Sequence, residues 1–439
     1  MSWTVLQNIA LQVLLAIASP LLVLAVDDPA NGTDRHGESP VGPQESVWAA
    51  LAIGGHGRFD FYTADKKLDG LHNLHGLTLQ PKSMPRFGSW GDAKIEGRFT
   101  DEDLRRTGGP QARLLEAYVN LYSSSVDVRI GKQIIAWGRA DGLNPTDNLT
   151  PKDFTVLSAK DEEERRTGTT GILTKYHYES YTLSVAWLPL FNPNTIPIAR
   201  VAGIQVSEDK SNAGAWNDQG VAIRFEQTRE AFDWSLSYYN GLDINPAGIP
   251  LSSSVVKLVH TRIRVLGADF AMPAGPYGLR GEIAYVQTAN PSGENPFIKK
   301  PYVWMVLGGD RNLTEDLNLN LQIYQRFILN YRDPFAIEES ATQQLSVLDA
   351  VINQQLDQSQ VGLNGRIKAS WFNKTLEAEL MGVWNANRGD LFLRPSLTYA
   401  FTDVWKGMMG YDFFNGQRDS YFGRLEPASA FYLELRATF

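Results

Sequence analysis

The chain has no cysteine, which excludes disulfides, thiolate nucleophiles, Cys-ligated zinc and c-type haem attachment. Histidine is scarce, at six residues. His72 and His75 stand three apart in a stretch that reads as strand or loop, and His177 and His260 lack a partner set for Ser-His or carboxylate-His chemistry. No catalytic residue is therefore assigned, an enzyme is not expected, and no cofactor is implied. Lys and Arg form no run and the formal net charge is −8, so nothing here attracts nucleic acid. Long hydrophobic runs are also missing, apart from Ile9 to Val26. No other stretch approaches the ~18 continuous apolar residues of a membrane-crossing helix.

Pro20 interrupts that one run, and Val23 and Ala25 supply small-residue cleavage geometry. Residues 1–25 are expected to be a signal peptide, although no Lys or Arg precedes the apolar stretch. Asp27 to Ser46 is rich in Gly, Pro and Asp, so residues 26–56 are expected to form a flexible N-terminal segment.

What the chain does have is alternation. Hydrophobic residues make up 43% and mean hydropathy is −0.25, a balance that suits many half-buried strands. Along Leu317 to Phe327, Leu319, Leu321, Ile323 and Phe327 share one face, with Asn318, Asn320, Gln322, Tyr324 and Arg326 on the other. Leu363, Ile367 and Trp371 oppose Asn364, Arg366 and Lys368 in the same way, and Leu433, Leu435 and Phe439 oppose Tyr432, Glu434 and Arg436. Soluble sandwiches and membrane barrels share this pattern. Three features select the barrel. Many strands run about ten residues, the length of a tilted bilayer-crossing strand. Connections alternate between short ones, such as Ser123–Ser125 and Asn373–Lys374, and long ones, such as Gly138–Gly168 and Asn330–Gln358, as periplasmic turns and extracellular loops do. Finally, Phe439 closes the last strand on the outward register. The expected fold is all-β: a transmembrane antiparallel β-barrel over 57–439, of sixteen to eighteen strands, eighteen if Gly57–Gln80 forms a hairpin.

With the apolar register outside, the other register lines a pore. It places Arg98, Glu116, Arg129, Arg224, Arg280, Arg326, Arg366, Lys368, Arg394 and Arg436 on the wall, with carboxylates such as Glu226, Glu282 and Glu377 among them. Opposite charges on adjacent strands read as a salt-bridged wall or as a path for a charged or sugar-like solute. Trp187, Trp234, Trp304, Trp371, Trp384, Trp405, Tyr399, Tyr411 and Phe439 fall on outward registers, as aromatic girdles do.

One stretch breaks the pattern. Val126 to Trp137 reads as the fifth strand; then Gly138, Gly142, Pro145 and Pro151, with Asp141, Asn144, Asp147 and Asn148, supply dense turn chemistry. Gly138–Gly168 is expected to turn inward and narrow the pore through Arg139, Asp141, Asn144, Asp147 and Asp153, with a rigid extracellular loop as the alternative. Four of these also offer oxygen ligands of the kind Ca2+ takes, but without the spacing of a Ca2+ loop, and no metal is assigned. A second long loop, Glu338–Gln358, holds Leu345, Leu348, Ile352 and Leu356 at helical spacing with Ser340 as a cap. Such a helix would lie across the mouth, pack into the lumen or meet a partner.

Gly131-Lys132-Gln133, Trp137-Gly138, Asp141-Gly142 and Asn144-Pro145-Thr146-Asp147, followed by Glu163–Gly171 and the C-terminal strand ending on Phe439, resemble an uncharacterised group of proteobacterial outer-membrane, porin-like barrel proteins. The placing of the loop after strand five is similar to that in general porins, where it folds inward. The resemblance implies a Gram-negative outer-membrane location and recognition of the last strand by the barrel assembly machinery. The expected function is an outer-membrane channel for diffusion or facilitated transport of a small-molecule or glycan solute, in contact with outer-membrane lipid and lipopolysaccharide. The alternative is the exit channel of an export pathway, for example polysaccharide secretion, which asks for a wide charged lumen and a periplasmic partner.

Overall fold

The structure is a computed structural model that describes residues 52–68, 71–102, 110–154, 162–196, 205–208, 218–252 and 255–439. The expected signal peptide, most of the N-terminal segment and residues 155–161 of the expected constriction loop lie outside the described residues.

Among the described residues, eighteen strands form one sheet: β1 (Ile53–Leu68), β2 (Leu71–Ser83), β3 (Gly91–Glu102), β4 (Gln111–Tyr122), β5 (Val126–Gln133), β6 (Thr169–Tyr178), β7 (Tyr181–Leu188), β8 (Gly220–Gln227), β9 (Asp233–Leu242), β10 (Arg262–Ala274), β11 (Tyr277–Gln287), β12 (Tyr302–Asn312), β13 (Leu317–Ile328), β14 (Ser359–Trp371), β15 (Leu376–Asn385), β16 (Asp390–Ala400), β17 (Trp405–Asn415) and β18 (Ala430–Thr438). Each pairs antiparallel with its neighbours in sequence, and β18 returns to β1 from His56↔Thr438 to Ala64↔Ala430, so the sheet is a closed barrel. Phe439 locks the seam: its carbonyl accepts from Gly55 N at 2.8 Å and its N–H donates to Gly55 O at 3.0 Å. The expected hairpin within Gly57–Gln80 is present as β1–β2, and β1 begins four residues before the expected barrel boundary, at Ile53.

Alternation decides which way each side chain points. On β13, Leu321 and Ile323 are 50% and 49% exposed, whereas Gln322 and Tyr324 between them are 2% and 5% exposed. The apolar register therefore faces out and its partner faces the lumen, as the period of two requires. Connections 123–125, 179–180, 275–276 and 372–375 lie on one rim, and the chain leaves β5, β7, β13 and β17 at the other. A three-stranded sheet of Gln205–Glu208, Ala247–Ser252 and Val255–Val259 sits in the long connections beyond β7 and β9.

The core lies inside the barrel. Toward the long-loop rim, inward residues such as Tyr62, Leu74, Val306, Met381, Phe392 and Phe414 are buried against Ala140 and Leu143 of the 134–168 connection, Val347, Ala350 and Val351 of helix α2 (Ser340–Ile352), and Phe422 and Leu425 of helix α3 (Tyr421–Leu425). A second cluster sets Ile135, Trp137 and Leu149 against Ala186, Ala222, Ile263, Val265 and Val286. Toward the long-loop rim, inward charged residues such as Arg326 and Arg394 are therefore buried beneath loops rather than facing an open lumen.

Three further expectations need correction. Trp304 faces inward, with the Arg326 guanidinium 4.2 Å above its ring, because it stands opposite Arg326 across the β12–β13 ladder. Helix α2 buries Ser346, Val347, Ala350 and Val351, while Leu345, Leu348 and Ile352 are only partly covered, since wall and loops surround the helix, and the expected fourth position, Leu356, is buried beyond the helix end. Its cap is Glu339, not Ser340: Ser340 is already helical.

Candidate functional site

β5 leaves the wall at Gln133, four residues earlier than Trp137. The departing backbone stays satisfied because side chains replace the missing ladder. Ile134 N donates to Glu116 Oε1 at 2.8 Å, Ile135 N to Thr150 Oγ1 at 3.1 Å, and Thr150 Oγ1 to Ile135 O at 2.8 Å. The chain then crosses the lumen. Gly138 has φ of 107°, and a Cβ there would lie 2.4 Å from Glu282 Oε1, so only glycine allows this approach. Beyond it, Glu282 of β11 accepts from Ala140 N at 2.6 Å and from Thr146 N and Oγ1 at 3.3 and 3.1 Å.

The connection is fastened to both sides of the barrel. On the far wall Arg139 pairs with Asp269 and, at 3.4 Å, with Glu226; Arg224 joins the same two carboxylates at 3.5 and 3.2 Å. Asp141 accepts from Arg280 and from Asn320 Nδ2, and its carbonyl accepts from Asn364 Nδ2 at 3.3 Å. On the near side helix α1 (Glu162–Arg165) brings Glu164 to Arg58 and, at 2.5 Å, to Arg436, while its carbonyl accepts from Arg98. Burial alone would raise the Glu164 pKa, but Arg58, Arg436, His56 and Arg98 outweigh it and hold the carboxyl down at about 2. Burial takes Lys152 the other way, down to about 8, with Asp147 opposing.

The five expected constriction residues thus divide. Arg139 and Asp141 meet the opposite wall. Asn144 closes a turn, its carbonyl accepting from Asp147 N at 3.2 Å. Asp147 is tied to Arg166 at 3.3 Å within the same connection, and Asp153, fully buried, to Arg113 of β4 at 3.0 Å. All ten expected wall residues lie on the inward register. Arg98 and Arg366 are buried; Glu116 holds Lys94; Arg129 lies 4.3 Å from the Tyr118 ring; Arg326 donates to Asn353 O at 3.0 Å beside α2; Arg394 pairs with Asp412 at 2.5 Å. Lys368, paired with Glu377 at 3.1 Å, and Arg280 are the more open, with side chains 37% and 33% exposed.

Two residues outside the five expected constriction residues complete the site. Glu282 was readable as inward by parity, yet nothing local tells that it receives backbone N–H groups more than a hundred residues away. Glu164 stands in the charged run Glu162–Arg166, which reads equally well as a solvated surface.

A family model described as "Protein of unknown function (DUF1302)" matches residues 62–430. No curated protein matches the chain significantly. Among solved structures, two engineered variants of Rhodopseudomonas blastica porin align at 12% identity and TM-score 0.43, covering 89% of this chain and 100% of theirs.

Proposed function

The chain belongs to the DUF1302 family, and we propose that it is an outer-membrane channel for a small polar solute, held closed or narrow by residues 134–168. Support for the membrane comes from the outward register: Leu321, Ile323, Leu363, Ile367 and Leu380 are exposed side by side, a surface that needs lipid. Chains of this kind reach the membrane through the barrel assembly machinery and then meet outer-membrane lipid and lipopolysaccharide. Support for a polar solute comes from the lumen toward the short-turn rim, where charges of both signs are paired and leave no uniform field.

The observation that carries the gating part is the span of the 134–168 connection, from Glu164 against β1 and β18 to Asp141 against β11 and β13. Transport past such a bar requires it to move, which favours facilitated passage over free diffusion. The same packing disfavours export of a polymer, which would need a wide lumen. Replacing Asp141–Pro151 with a short Gly/Ser linker tests the reading: the variant should still show heat-modifiable migration and outer-membrane fractionation, and its single-channel conductance in planar bilayers should rise several-fold. Unchanged conductance from a folded, inserted variant overturns the assignment of this connection as the constriction.

A further inference from the structure

The early exit of β5 leaves a defect in the wall. β4 pairs with β3 up to Thr100↔Gln111, but with β5 only from Tyr122↔Asp127 to Ala117↔Lys132. Among the described residues, no strand pairs with 112–116 of β4 on that side. Two makeshift bonds stand there instead: Lys132 Nζ donates to Leu114 O at 2.6 Å, and Gly168 N donates to Leu115 O at 2.9 Å. A closed barrel normally exists to abolish such an edge, and an open edge facing lipid is costly unless something covers it.

A cavity of about 390 Å³ occupies the defect. Its lining combines Leu114, Pro246 and Leu258 with Arg113, Lys132 and Asn192, and holds two cations and no carboxylate among the described residues. Leu114 is 47% exposed on the outward face. Arg113 keeps 32% of its side chain exposed although it already pairs with Asp153 and donates to Thr195 Oγ1 at 2.9 Å. Behind them Thr195 N donates to Lys152 O at 2.9 Å and Asp153 N to Arg165 O at 2.6 Å, so the back of the cavity is the back of the connection that crosses the lumen.

We propose that this defect is a lateral binding site for an anionic amphiphile, its headgroup held by Arg113 and Lys132 and its chain by Leu114, Pro246 and Leu258. A phosphate or carboxylate suits the guanidinium and the ammonium together. The apolar part lies where the outward face meets the cavity. The site rests on the reading of the outward face as lipid-facing, but not on conduction.

Binding of octyl phosphate to the detergent-solubilised barrel, measured by titration calorimetry in a neutral maltoside, tests the site with inorganic phosphate and octyl glucoside as controls. Lys132→Met, which keeps the apolar stem, should weaken octyl phosphate by about tenfold or more. Leu258→Glu should weaken it as well through repulsion, and both variants should keep heat-modifiable migration. Equal affinity in wild type and both variants overturns the proposal, as does inorganic phosphate binding as tightly as octyl phosphate. In phosphatidylcholine nanodiscs, displacement of octyl phosphate by added lipid A assigns the site to a membrane lipid; retention assigns it to a free amphiphile. Failure to bind leaves the conductance reading untouched, and a silent channel leaves this site standing.

Discussion

On β13, Asn320 and Gln322 face the lumen nearer the short-turn rim, while Tyr324 and Ile328 face it nearer the long-loop rim. A single strand thus samples two interiors. Toward the short turns, charged groups meet in pairs such as Lys94 with Glu96 at 2.7 Å and Lys368 with Glu377 at 3.1 Å, several of them partly open. Toward the long loops, Phe392 and Phe414 of the wall pack against each other and against Phe422 of α3, with ring centroids 5.0 to 6.3 Å apart. The difference teaches that the halves are stabilised by unlike means. Partly solvated ion pairs return little net free energy, whereas close-packed apolar groups lose their full contact energy when truncated.

The largest expected contrast follows directly. Phe392→Ala or Phe422→Ala should cost about 3–5 kcal/mol, and Lys368→Ala under about 1 kcal/mol, read from the temperature at which the folded gel band is lost. Similar losses at both places would erase the distinction between the halves.

Next in size is the distinction between the two faces of one strand. Leu363→Arg should impair assembly by about 2–4 kcal/mol if it meets lipid at mid-depth. Arg366→Glu with Lys368→Glu should leave assembly intact and shift the reversal potential toward cations. If Leu363→Arg were silent and the double charge reversal blocked assembly, the inside and outside faces would be interchanged.

Glu282 sits where the halves meet. Glu282→Leu strands the N–H groups of Ala140 and Thr146, a loss of about 1–3 kcal/mol confined to the connection. Hydrogen exchange of residues 138–148 should accelerate while the β-ladders stay protected; uniform protection would show that the carboxylate is not the clamp.

The smallest effect is a pH dependence of opposite sign in the two inserted segments. Glu164, lowered to about 2 from 4.5, contributes stability that is complete above about pH 4.5 and lost as pH falls toward 2. Burial raises Asp349 of α2 from 3.8 to about 7, with Lys300 and Asn353 opposing, so its destabilising charge grows as pH rises from about 4 through 7. Between pH 5.5 and 8, exchange in α2 should therefore quicken while the Glu164 anchor stays constant, and Asp349→Asn should remove the α2 dependence. A pH-independent α2 in the wild type would refute the assignment to Asp349.

The walls are legible in the sequence. Period-two alternation marks strands such as Leu317–Phe327 and their outward faces, and the parity of Phe439 puts it on the outward register at the end of the last strand. The filling of the lumen was also written in the chain, but less plainly. Tyr302–Leu307 is apolar on both registers, which signals a strand covered on both faces without naming what covers it. Alternation alone therefore puts Trp304 on the wrong face.

By itself, then, the sequence determined the barrel, its up-and-down order and its outer surface, because these depend on side chains two residues apart and on turns of a few residues. Only the tertiary structure decided what lies inside. That Glu282 holds Ala140, that Asp141 meets Asn320 and that Glu164 meets Arg436 are contacts between the inserted connection and strands distant in the chain. They join segments far apart in sequence, and local pattern carries no information about which distant partner satisfies a buried charge.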